Sequence, residues 1–105
     1  QYEWHLFLIQ LEGMLGQSEL VSVSDEKLTL RDNNASSVYF IEKYNTMIRR
    51  KKGGTGHEPL LLSVQSLTFS QIEGGVGIEV VFLQGEVREA RMALPDKAAL
   101  LSEKK

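Results

Sequence analysis

Apolar residues recur along this chain at two different periods. In WHLFLIQLEGMLG (4–16), Trp4, Phe7, Leu8, Leu11, Met14 and Leu15 fall on one stripe of a helix of 3.6 residues per turn. Read as a strand, the same segment would be apolar on both faces. Few of its residues are β-branched, so a helix is the better match, with Gly16 as its C-terminal cap.

From residue 18 the period shortens to two. SELVSVSD (18–25) sets Leu20 and Ser22 against Val21 and Val23. LTLRDNN then sets Leu28 and Leu30 against Thr29 and Arg31, and a turn at Asp25-Glu26 joins the two runs into a hairpin. Asp32-Asn33-Asn34 has turn chemistry, because short polar side chains bond their own backbone. SSVYFI (36–41) opens a further strand, and its continuation to Ile48 fits strand or irregular chain equally. RRKKGGTGHEP passes abruptly from cations to glycines, which predicts a flexible loop over 49–58. EPLLLSVQSLTFSQ (58–71) reads as a strand. EGGVG (73–77) reads as a tight turn in which glycine supplies positive φ. Residues 77–94 read as one long strand or as a hairpin centred on Gln84-Gly85.

Pro95 has no N–H for a ladder and suits the first turn of a helix. Asp96 near the start, Lys104 and Lys105 at the end, and Ala98, Leu100 and Leu101 between them predict a short C-terminal helix. The sum is an α+β, β-rich fold: a small antiparallel β-barrel or curved sheet closed by a C-terminal helix, with an N-terminal helix ahead of it. Strands followed by one terminal helix, carried by SLTFSQIEGGVGIEVVFLQGEVREARMALPDKAALL (66–101), resemble the pleckstrin-homology-like superfold of pleckstrin-homology, phosphotyrosine-binding and third-FERM-lobe domains. The resemblance implies a scaffold for peptides, partner proteins or membrane lipids. Its phosphoinositide-binding members use a basic cluster between the first two strands; residues 13–20 contain none, so no lipid-binding residue carries over.

Composition narrows the class. A chain of 105 residues holds one core, so residues 1–105 are expected to form a single interaction domain. The start on Gln, inside an apolar pattern, predicts a domain excised from a longer protein. With 42% hydrophobic and 25% charged residues the chain is expected to fold rather than stay disordered. There is no cysteine, which excludes disulfides, thiolate metal sites and cysteine nucleophiles. The net charge of -2 demands no polyanionic partner. No apolar run approaches the roughly 20 residues that span a bilayer. The expected setting is cytoplasmic, with peripheral membrane contact as the alternative.

No arrangement of nucleophile, base or metal ligands emerges. The glycine runs at 53–56 and 74–77 lack phosphate-loop spacing, and His5 and His57 have no ligand partners at metal-binding intervals. No catalytic residue, metal or cofactor is expected, and the protein is read as non-enzymatic. The sharpest charge feature is Arg49, Arg50, Lys51 and Lys52, the candidate ligand-binding residues. Tyr44 is the nearest aromatic, too far in sequence to favour nucleic acid. Tyr39, Phe40 and Tyr44 are expected in the core. The leading expectation is an adaptor or docking domain for a partner protein, a peptide or a neighbouring domain of the same chain. The alternative is a membrane-targeting module that meets anionic head groups, phosphoinositides included, through residues 49–52.

Overall fold

A computed structural model describes residues 2–53 and 56–95. Helix α1 (Tyr2–Gly16) leads into eight strands: β1 (Ser18–Ser24), β2 (Lys27–Asp32), β3 (Val38–Tyr44), β4 (Met47–Lys52), β5 (His57–Leu62), β6 (Val64–Ile72), β7 (Gly75–Phe82) and β8 (Val87–Ala93). They form two antiparallel meanders, a five-stranded sheet β1-β2-β3-β4-β5 and a three-stranded sheet β6-β7-β8.

The expected helical stripe is the buried face of α1. Trp4, Phe7, Leu11 and Leu15 are buried, and Leu8 and Met14 pack at the margin. The cap differs from expectation. Gly16 ends the helix without a left-handed turn, and a tighter bond from Gln17 N–H to the Met14 carbonyl (3.2 Å) closes the last turn. α1 lies against both outer strands of the larger sheet, β1 and β5. Its stripe joins Leu28, Leu30, Tyr39, Ile41, Ile48 and Leu61 from that sheet in one core with Leu67, Phe69, Val76, Ile78, Val80 and Phe82 from the smaller one. Trp4 makes the link, tilted against Phe7 at 5.8 Å and edge-on to Phe82 at 6.5 Å.

The hairpin over 18–32 forms as expected, with one change. A bulge between Leu20 and Ser22 shifts the alternation, so Leu20 and Val23 both pack toward the core while Val21 is exposed. The ambiguous run to Ile48 is two strands joined at Asn45-Thr46, with Asn45 at φ 53°. The apolar run 58–71 is likewise two strands. Ser63, at φ 62°, turns the chain out of the first ladder, and Val64 then begins pairing with β7. That turn is why the sheets do not close into the expected barrel. Each strand pairs with its sequence neighbour, the ladder stops at Ser63, and β1, β5, β6 and β8 are edges. β6 instead crosses the hairpin ends of the larger sheet. Phe69 N–H donates to the Asp25 carbonyl (2.7 Å) and Val64 N–H to that of Thr46 (2.9 Å).

Both glycine turns hold. Gly74 has φ 76° between β6 and β7, and Gly85 has φ 98° in the Gln84-Gly85 hairpin. The flexible loop expected over 49–58 is mostly ladder: Arg49–Lys52 lie in β4 and His57 and Glu58 in β5, leaving only the link between them. The closing helix expected after Pro95 falls outside the described residues and so is not borne out. Within the described residues the helix that covers the sheet is N-terminal.

Candidate docking surface

α1 carries a second apolar stripe. Tyr2, Leu6 and Ile9 stand at the i, i+4, i+7 positions of one face and are 76%, 41% and 65% exposed. A surface helix ordinarily pairs its buried stripe with a polar face. Here the face away from the core is also apolar over its first two turns. Leu6 continues this stripe into a cleft of 640 Å3 lined further by Leu60 and Leu62 of β5, by Phe82, and by Glu3 and Glu86 at its rim. Leu62 is 60% exposed. The cleft runs beside an edge strand, so it offers apolar side chains, unladdered backbone of β5 and the Glu3 carboxylate together, while Glu86 pairs with Arg88 (3.4 Å). The sequence reading missed the second stripe although its spacing stands in YEWHLFLIQ. Once Trp4, Phe7, Leu11 and Leu15 are assigned to the core, the remaining apolar positions are the signal. The cleft was not legible, because β5, the end of β7 and α1 meet only in the folded chain.

The basic run is divided rather than gathered. In β4, Arg49 and Lys51 point to the face away from α1, whereas Arg50 and Lys52 share the face of Tyr39 and Ile41. Arg49 bridges Glu42 (Nη2 to Oε2, 2.8 Å), bonds His57 Nδ1 (3.1 Å) and lies over the Tyr44 ring at 3.8 Å. Arg50 lies over Tyr39 at 4.5 Å, with its Nε buried and without a hydrogen-bond partner. Of the three aromatics expected in the core, Tyr39 is buried, and its hydroxyl meets the Ser18 hydroxyl at 2.6 Å. Phe40 is half-buried and Tyr44 is 43% exposed, both on the outer face. His5 is exposed on α1.

Asp32 at the end of β2 titrates below the usual aspartate range. Its carboxylate accepts the Ala35 and Asn34 N–H groups (3.1 and 2.8 Å), and Lys52 and Arg50 add positive potential. Among the described residues no three His, Asp or Glu side chains converge as metal ligands, and no helix is long and apolar enough to cross a membrane.

These features define a small α+β protein, a helix backed onto a β-meander, with an apolar surface on the helix and beside an edge strand. A family model described as "Putative Competence protein ComGF" matches residues 1–88, and the chain belongs to that family. The expected pleckstrin-homology-like relationship is thereby corrected: no pleckstrin-homology, phosphotyrosine-binding or FERM family matches, and the match gives the phosphoinositide expectation no support. Strands followed by one terminal helix misled the reading, since a fold-level pattern of this kind does not select a family. No curated protein and no solved structure matches the chain.

Proposed function

We propose that this protein is a non-enzymatic subunit of a competence apparatus of the pseudopilus kind, docking an apolar helix of a neighbouring subunit along Tyr2, Leu6 and Ile9 and into the cleft. The observation that carries the reading is the doubly apolar helix: one stripe is needed for the core, and the second has no use within the described chain. Fully burying an exposed side chain of this size is worth about 1.5–3 kcal/mol, and Leu6, only 41% exposed, has less than half of that left to gain. The three together reach only the low end of the roughly 4–15 kcal/mol that association costs in lost freedom, so the stripe needs the cleft to add apolar area and strand-edge bonds. Glu3, exposed at the start of the helix, favours a partner helix with a cation beside its apolar stripe. Family membership supports the competence setting. The membrane-targeting alternative has less support, because strand alternation sends Arg49–Lys52 to two faces rather than one.

The test is transformation frequency in the native host with Leu6→Glu and Ile9→Glu combined in the full chain. A loss of tenfold or more, with protein level and thermal stability kept, is expected. Wild-type transformation by that variant would refute docking through this face.

A further inference from the structure

The face of the larger sheet opposite α1 places aromatic rings among cations in a way that the linear sequence hides. The ladder registers set Lys27, Thr29 and Arg31 of β2 beside Glu42, Phe40 and Val38 of β3, and set Phe40 and Glu42 opposite Lys51 and Arg49 of β4. Lys27 Nζ sits 4.8 Å from the Phe40 ring centre and the Arg49 guanidinium 3.8 Å from that of Tyr44. His57 meets Tyr44 edge-on at 5.8 Å. Ser22 and Ser24 extend the face across β1. Lys27, Arg31, Arg49 and Lys51 outnumber the carboxylates Glu19 and Glu42, which pair with Arg31 (2.9 Å) and Arg49 (2.8 Å). The face is therefore net positive on a chain whose total charge is -2.

We infer that this outer face binds single-stranded nucleic acid, with Phe40 and Tyr44 as stacking platforms and Lys27, Arg31 and Lys51 as phosphate contacts. Two arguments favour a strand of nucleic acid over other polyanions. Cations alone would attract any polyanion, but aromatic rings on the same face add π-stacking, which every base can use and which a sulfated sugar or an acidic side chain, having no π face of that kind, does not provide. Phe40 and Tyr44 lie four residues apart on one strand face, about 13 Å, so two bases of one extended strand, with a nucleotide between them, can reach both. A duplex keeps its bases stacked inside and meets only the cations. Tyr44 stays 43% exposed despite the guanidinium and imidazole against it, so ring surface is left for a base. This face lies on the other side of the sheet from the α1 stripe, so it is independent of the docking surface and can fail or succeed separately.

Fluorescence anisotropy of the purified chain with labelled (dT)20 tests the inference, with a 20-base-pair duplex and heparin as competitors. The expected result is salt-sensitive binding of (dT)20, weaker competition from the duplex, and at least roughly fivefold loss of (dT)20 affinity in Tyr44→Ala with heparin binding unchanged. Combined Lys27→Gln and Lys51→Gln should reduce the slope of log affinity against log salt by about 1.4, the value for two lost contacts to a single strand. Far-ultraviolet circular dichroism verifies that both variants stay folded. Absent (dT)20 binding overturns the proposal. So does binding that Tyr44→Ala leaves unchanged, or heparin affinity that falls in step with it, since either reduces the face to a general polyanion surface.

Discussion

Arg49 and Arg50 are adjacent in the chain, yet each stacks on a different tyrosine on opposite faces of one sheet: Arg49 over Tyr44 at 3.8 Å, Arg50 over Tyr39 at 4.5 Å. Alternation along β4 forces this separation, because successive strand residues point to opposite sides. What reads as a block of four cations is two pairs with different neighbours. Neutralising Arg50 should therefore disturb packing over Tyr39, while neutralising Arg49 should disturb the Glu42 and His57 contacts on the far side.

The Ser18–Tyr39 hydroxyl pair is a buried polar contact at the edge of the core. Tyr39→Phe leaves the Ser18 hydroxyl without that partner and should cost about 1–3 kcal/mol in urea denaturation, since an unsatisfied buried group loses its hydration without return. Ser18→Ala should cost a similar amount. The double variant should cost less than the two singles together, because neither orphaned group then remains; additive losses would show that the hydroxyls act independently.

Gly75 and Gly13 should respond to alanine in opposite senses. A Cβ at Gly75 would run into the Met92 backbone carbonyl across the β7–β8 ladder, where nothing flexible can yield. Gly75→Ala should lower stability by more than about 2 kcal/mol or prevent folding. Gly13 lies on α1 with open space around its Cβ position. Gly13→Ala should raise stability by about 0.5–1 kcal/mol through helix propensity. Thermal melts of the two variants decide both.

The two stripes of α1 should separate stability from docking. Phe7 is fully buried, and Phe7→Ala should cost about 3–5 kcal/mol. Ile9 is 65% exposed, and Ile9→Ala should stay within about 0.5 kcal/mol of wild type. A large loss at Ile9 would mean that the second stripe supports the fold rather than facing a partner.

Asp32 predicts an acid-sensitive turn. Its pKa is lowered on folding, so its contribution is complete above the unfolded value of about 3.9 and is lost as pH falls through the lower folded value. Asp32→Asn keeps an acceptor for the Asn34 and Ala35 N–H groups but not the charge. The stability gap between wild type and this variant should therefore be constant near neutral pH and close below about pH 4. A gap that persists at lower pH would place its origin in turn geometry, not in ionisation.

Several elements were readable from local signals. The stripe of α1 reports itself because six apolar residues share one helical face. The hairpin over 18–32 and the turns at Gly74 and Gly85 follow from alternation bounded by residues that tolerate left-handed backbone. Other features left weak traces. Asn45 and Ser63 take positive φ without being glycine, so two strand breaks inside apolar runs passed unmarked. The bulge at Val21 sent Val21 and Val23, which strict alternation puts on one face, to opposite faces, a change of one residue that no alternation rule anticipates.

Periodicity and turn residues were enough to establish a β-rich chain with a leading helix that buries one apolar stripe, because each depends on residues within a turn or two of one another, and the lack of cysteine excluded thiol chemistry outright. Folding alone settled the rest: the two-sheet topology, the separation of Arg49 from Arg50, the union of Phe40 and Tyr44 with cations from β2 and β4, and the cleft shared by Leu6, Leu62 and Phe82. Those depend on strand register and on which face α1 covers. Both are set by long-range packing of the whole core, which no short stretch of sequence contains.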